Sequence, residues 1–421
     1  MSTWHRLARR AGWSIWLGLL ILGLAGCRAR GVPSSTPPPP PSQPVISQPT
    51  PTRALATPSQ VPCQILAPPQ RQEKGPLLPT DHFRGDANAA VWIIVYGDFQ
   101  SPAYASMAQR LERLRAERPH ELAWVFRAYP LAAVHDKALL AVQIAEAAAQ
   151  QGAFWPMHDA LVQRLEEWRE LTPEAFLRWA MDVAQDLGLD PERLRRDATS
   201  DALVRLAQTA WERGRAAGLA SVPILFLNGE LYTGPQDEAA LRSVIALEAL
   251  SARMFRTCPP RLDPKQAPRM AYLETNRGRI ALALLPEQNI DAVSSFVALT
   301  RAGWYDHTPV YRVVPGKAVY LGDPSGTGYG HAGFLFPVLP QPAIALDGPG
   351  WAALDLVSPG MADGRFFITL EAWPAEAASA YPRFGRVVQG IDLLRALPAW
   401  GPEQGTEPPL RVLRVHFAAE E

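Results

Sequence analysis

The chain has 421 residues, too many for one compact core and enough for two domains of ordinary size. Its 48% hydrophobic and 19% charged content is that of globular protein, apart from 42 prolines, many of them packed into one segment. Basic and acidic residues cancel at 41 each, so no overall field favours nucleic acid or an anionic membrane surface.

Arg6, Arg9 and Arg10 open the chain, and an uncharged stretch, residues 11–26, follows. That stretch is short for a spanning helix, which needs about 20 apolar residues. It closes with Leu24-Ala25-Gly26-Cys27, which resembles the lipobox of bacterial lipoproteins. The resemblance implies a signal peptide over residues 1–27, lipidation of Cys27, and an extracytoplasmic chain anchored to the cell membrane. An uncleaved anchor or a plain secretory signal are the alternatives, and either still exports the chain. Residues 28–80 form a proline-rich, disordered tether, with a proline run at 37–41 among Ser, Thr and Gln. Its first part, residues 28–62, favours extended polyproline II at ~3.1 Å per residue, a spacer of up to ~100 Å.

Cys63 and Cys258 remain once Cys27 is consumed. An even pair in an exported chain reads first as a disulfide, with two free thiols as the alternative. Closing so long a loop is worth on the order of 5 kcal/mol in the chain-entropy model.

The first folded domain spans residues 81–256. An apolar run at residues 91–96 predicts a buried strand, and Pro102 starts a helix carrying Met107, Leu111 and Leu114 at helical spacing. Leu122, Trp124 and Phe126 alternate as a second strand. A helical region runs from about residue 135 to 219, with breaks near 152–156 and 187–191. A strand at 224–227 then turns at Asn228-Gly229, and a last helix covers 237–254. This order is α/β. A linker, residues 257–268, holds four prolines. The second domain, residues 269–418, reads as mostly β: a hairpin about 276–278, a short helix at 291–301, and short apolar runs to a last strand at 412–417.

In the first domain, Tyr96-Gly97-Asp98-Phe99-Gln100 followed by Ser101-Pro102-Ala103-Tyr104 resembles the DsbA-like thioredoxin family. Phe154-Trp155 with His158-Asp159, and Ser221-Val222-Pro223 before a strand, extend the resemblance. It implies a thioredoxin fold with a helical insertion and a cis proline at Pro223. The family's two cysteines fall on Ser101 and Tyr104, a lost redox motif. Disulfide exchange needs a thiolate, which neither residue supplies, so the chain is not a thiol-disulfide oxidoreductase. A Ser101 hydrolase is an alternative without an evident base in the sequence. Binding extended polypeptide and merely supporting the neighbouring domain both stay open.

Three blocks of the second domain resemble cyclophilins, the peptidyl-prolyl isomerases. They are Leu273 to Ile280 with Gly303-Trp304-Tyr305-Asp306, Val310 to Val313 leading into Gly322-Asp323-Pro324, and Phe366-Phe367 with Phe384-Gly385. The resemblance implies an eight-stranded barrel whose catalytic residues are Arg312, donor to the twisted amide, and Phe367, wall of the proline seat. Tyr320, Arg365, Trp373 and Tyr381 fall at substrate-binding positions. Lys317, Ala318 and Asp355 replace residues of the usual wall, so the site is altered. Gly328, Gly330 and Gly333 satisfy a dinucleotide fingerprint, but Pro337 and Pro340 follow where a helix should start, and the nucleotide is discarded. The eight histidines show no ligand spacing, so neither a metal nor a cofactor is expected. The implied function is an exported, membrane-tethered prolyl isomerase acting on unfolded or proline-containing exported polypeptides. The alternative is an inactive peptide-binding chaperone or adaptor.

Overall fold

The computed structural model describes residues 61–66, 77–338, 346–374, 380–404 and 407–418. The expected leader, Cys27 and most of the tether lie outside them. The first described segment carries a two-residue strand, β1 (Gln64–Ile65).

The N-terminal domain is a five-stranded sheet of β2 (His82–Arg84), β3 (Val91–Gly97), β4 (Leu122–Ala128), β5 (Ile224–Leu227) and β6 (Glu230–Leu231). Their spatial order is β2-β4-β3-β5-β6, with β3 and β4 parallel and β5 antiparallel to β3. The helix α1 (Pro102–Glu117) makes the β3–β4 crossover, buried through Met107, Leu111 and Leu114. Six helices stand between β4 and β5: α2 (Ala138–Ala149), α3 (Phe154–Gln163), α4 (Leu165–Trp168), α5 (Pro173–Asp186), α6 (Pro191–Ala198) and α7 (Asp201–Ala216). The insertion breaks more often than the sequence reading allows, because Thr172, Asp190 and Ser200 each cap a new helix with a side-chain oxygen. Pro156, read as part of a break, sits in the first turn of α3, where proline is tolerated. The alternation in β4 holds, and both of its faces are buried. Trp124 and Phe126 join the main core while Ala123 and Val125 pack on the other face with Trp92 and Ile94. Asn228 and Gly229, both at positive φ, turn β5 into β6. The last helix, α8 (Glu238–Leu250), covers β3.

The C-terminal domain opens with the hairpin β7 (Met270–Thr275) and β8 (Gly278–Leu284), followed by α9 (Ile290–Arg301). A short hairpin, β9 (Arg312–Val314) and β10 (Ala318–Leu321), leads to β11 (Phe334–Pro337). After these come β12 (Trp351–Ser358), β13 (Met361–Thr369), β14 (Arg383–Gln389), α10 (Ile391–Arg395) and β15 (Val412–Phe417). The sheet runs β1-β11-β13-β12-β14-β8-β7-β15, with β10 also on β13 and β9 on β10. β13 is its spine: β12 lies along one side, and β10 and β11 share the other end to end. The expected barrel of eight strands is thus a ten-stranded curled sheet. No strand ladder joins β9 to β15 among the described residues; the isolated bridges Pro309–Arg411 and Val313–Trp400 and backbone bonds such as Val412 N to the Thr308 carbonyl connect the two regions. Phe296, Val293 and Val297 of α9 fill the core with Phe334, Phe366 and Phe384.

Contacts cross the expected boundaries. Val61, assigned to the tether, and Leu250, at the end of α8, are both buried in the C-terminal core. The linker is laid onto the same domain: Arg261 pairs with Asp291 at 2.6 Å, Leu262 N donates to Ser294 Oγ, and Ala267 is buried. Just before it, Arg253 stacks over Trp304 and donates to the carbonyls of Gly303 and Trp304. Cys63 and Cys258 form a disulfide, with Cα atoms 5.8 Å apart. No helix among the described residues is long and apolar enough to cross a membrane.

Candidate functional site

Strand register assembles the C-terminal site. The β9–β10 pairing sets Arg312 opposite Tyr320, and the β10–β13 pairing sets Tyr320 opposite Phe367. The exposed Arg312 guanidinium carbon lies 5.5 Å from the Tyr320 ring centroid. No acidic group among the described residues pairs with it. Tyr320 and Phe367 are 5.5 Å apart, centroid to centroid. Trp373, beyond the end of β13, stacks on Phe367 at 4.9 Å and 13°, and its Nε1 donates to the Lys317 carbonyl at 3.4 Å. Tyr381 meets both rings edge-on, at 5.2 and 5.7 Å.

This packing changes the meaning of Phe367. The ring is 0% exposed, so it does not line an open seat: Trp373 and Tyr381 cover it. Each aromatic pair contributes about 0.5–1.5 kcal/mol beyond the area it buries, so uncovering Phe367 costs on that order per contact broken.

The polar groups divide in two. Tyr311 donates from its hydroxyl to Asp355 Oδ2 at 2.7 Å, and burial together with that carboxylate pushes the Tyr311 hydroxyl well above its ordinary range. Burial and the Asp355 charge also raise the Tyr320 hydroxyl. Arg365 stands apart. Its Nε donates to both oxygens of Asp363 at 3.1 Å, and its Nη1 donates to the Gly328 carbonyl. At 8% exposure, the guanidinium is committed to this buried pair and is not presented to a substrate, contrary to its expected role. Burial pushes the Asp363 carboxyl up to about 6, against the pull of Arg365. Lys317 is exposed on the β9–β10 turn, and Ala318 is buried beneath the aromatic cluster.

The glycine-rich segment wraps an acid. Asp323, fully buried, accepts from Ser325 N and Oγ, Gly328 N and Gly330 N. A Cβ at Gly330 would lie 2.1 Å from Asp323 Oδ1, so only glycine fits. A strand, β11, follows instead of a helix, and the fingerprint has no nucleotide site.

In the N-terminal domain Ser101 caps α1, its Oγ accepting from Tyr104 N at 3.3 Å. Tyr104 is buried with its ring against Gly97, where a Cβ would approach within 2.3 Å. Its hydroxyl, raised by burial, donates to His158 Nε2 at 2.6 Å. His158, held neutral by burial, donates from Nδ1 to Asp159, which pairs with Arg84 at 2.8 Å. The second thiol position has therefore become a packed structural residue. The Val222–Pro223 bond is cis, and the pairing Tyr96–Ile224 brings Pro223 to the same end of the sheet as Ser101. One feature of this end escaped the sequence reading. Asp98, fully buried, accepts from Gln100 N, Leu131 N and His135 Nδ1, the last at 2.7 Å, and it raises the His135 pKa. An aspartate inside an otherwise apolar strand end was the available signal, because a buried carboxylate needs partners.

Among the described residues no group of three or more His, Cys, Asp or Glu is placed to hold a metal. A cavity of about 150 Å³ between Thr80, Arg127, Glu146 and Arg213 lies away from both clusters.

Residues 78–246 match the thioredoxin family model, and residues 270–418 match the model of the cyclophilin-type peptidyl-prolyl cis-trans isomerases. Among curated proteins the chain is 37% identical over 178 residues to the Na(+)/H(+) antiporter NhaA 3 of Salinispora tropica, covering 41% of this chain and 26% of that protein. It is 33% identical over 202 residues to NhaA 1 of Mycolicibacterium gilvum, covering 46% and 29%. The chain thus spans under a third of the length of these relatives. A solved cyclophilin-type isomerase of Cryptosporidium parvum, crystallised with the dipeptide Ala-Pro, is 24% identical, covering 35% of this chain and 98% of that one at a TM-score of 0.32. The alpha-DsbA1 of Wolbachia pipientis is 14% identical, covering 42% and 94% at 0.37.

Proposed function

We propose that this chain, which joins a thioredoxin-like domain to a cyclophilin-type domain, is an exported, membrane-tethered folding factor that isomerises Xaa–Pro bonds. The observation that carries the reading is Arg312, an exposed cation without an acidic partner among the described residues, set across Tyr320 from an aromatic cluster. Isomerisation asks for little beyond such a donor. The barrier is about 20 kcal/mol of lost amide resonance, and a donor aimed at the twisted amide, with an apolar seat for the ring, lowers it.

We read the site as altered, because Trp373 stacks on Phe367, the residue that the resemblance assigns to the proline seat. Turnover then requires Trp373 to swing aside or to serve as the upper wall of a shallower seat. The thioredoxin-like domain contributes no thiol chemistry, since Ser101 is a helix cap and Tyr104 is buried. Its role is to hold extended client segments near the cis-Pro223 end or to support its neighbour. The lipobox-like Leu24-Ala25-Gly26-Cys27 supports anchoring through Cys27.

Refolding of an exported client whose slow phase is prolyl isomerisation tests the reading. The intact chain should speed that phase, and Arg312→Ala should abolish the gain. A second reading, an inactive binding module, is favoured by the complete burial of Phe367. It predicts suppressed client aggregation, equal for both proteins, and an unchanged slow phase.

A further inference from the structure

We infer that residues 61–66 are a disulfide-latched strap that makes the start of the folded chain an integral part of the C-terminal domain. Sequence order would have the tether enter the N-terminal domain directly. The contacts run elsewhere. β1 adds antiparallel to the edge of β11, pairing Gln64 with Leu335 and Ile65 with Phe334. Leu66 N donates to the Gly333 carbonyl and Val61 N to the Pro259 carbonyl, both at 2.9 Å. Val61 is 1% exposed within the C-terminal core, and Cys63 packs against that core. The disulfide to Cys258 then closes a covalent ring of separation 195 that contains the whole N-terminal domain.

The strap's non-covalent hold is slight. The side chains of Gln64 and Ile65 are exposed, so one buried valine and a few backbone bonds must offset the ordering of six residues. The disulfide tips that balance by keeping the strand beside its partner edge. Opening the latch is a two-electron reduction. An external dithiol supplies both electrons and both protons, the Cys63–Cys258 bond breaks to two thiols, and the donor leaves as its own disulfide. The strap then peels from β11, and residues before Val61 stay joined to the molecule only through the N-terminal domain. This latch does not depend on the isomerase reading.

Hydrogen exchange on the intact chain, read by mass spectrometry on peptides covering 61–66 and 333–336, tests it. The oxidised chain should protect both segments. Dithiothreitol, or the Cys63→Ser/Cys258→Ser pair, should accelerate exchange in both by roughly tenfold or more while β3 and β4 stay unchanged. Reoxidation of the reduced wild-type chain should restore protection. Fast exchange at 61–66 in the oxidised chain, or identical exchange before and after reduction, would overturn the inference. The reduced wild-type chain serves as the test if the serine pair fails to fold.

Discussion

Tyr104 stands where a redox relative would carry its second thiol, and its surroundings explain why the position cannot simply be reverted. The ring fills the space above Gly97, and the hydroxyl is the partner of a buried neutral histidine. Tyr104→Phe should keep the packing but strand His158 Nε2, at a cost of about 1–3 kcal/mol in urea denaturation. Installing Cys at both 101 and 104 should cost more, on the order of 3–5 kcal/mol, because a cavity replaces the ring. Asp363 sets a pH dependence. Folded, it keeps its proton to about pH 6, whereas an unfolded aspartate releases it near ~3.9. The folded state therefore binds more protons between those values, and stability falls as pH rises through that window, by on the order of 3 kcal/mol in all. Urea midpoints between pH 4 and 7 should show this decline, and Asp363→Asn should flatten it. His135 acts in the same direction: Asp98 raises its folded pKa, so its contribution is complete below the unfolded value and is lost as pH rises through the folded one.

Among the elements, those with strong local signals were legible in the sequence. The β7–β8 hairpin, α9, β15 and the Asn228-Gly229 turn fall where periodicity and turn residues put them. Ser101 was read as a lost thiol position and not as a cap, yet it caps α1, and Ser101→Ala should lower the stability of the N-terminal domain by about 0.5–2 kcal/mol, checked by thermal unfolding. β1 was not legible, because two exposed residues carry no hydrophobic pattern and pair with an edge far along the chain, Ile65 with Phe334. Arg365 was misassigned for a related reason. Alignment to a family position says nothing of Asp363 two residues earlier, and it is Asp363 that turns the guanidinium inward. The extra helix starts at Thr172 and Ser200 could have been found, since each is a polar capping residue ahead of an apolar-periodic run.

At the scale of the whole molecule, the two domains read as separate in the sequence share more than a linker. Leu250 and Phe255 reach from the end of the N-terminal domain into the C-terminal core, and the strap returns to the same place. A fragment beginning at residue 269 would lack Val61, Leu250 and Ala267 from its core and β1 from its edge, so the intact chain is the form to assay. The account stands on whether Arg312 works there. The most direct measurement is exchange spectroscopy by NMR on a short Ala-Pro peptide with the oxidised intact chain, comparing wild type with Arg312→Ala. The account predicts catalysed cis–trans exchange that falls by at least roughly tenfold in the variant, as expected for the loss of one preorganised donor. Exchange no faster than that of the free peptide, or equal in both proteins, would contradict it.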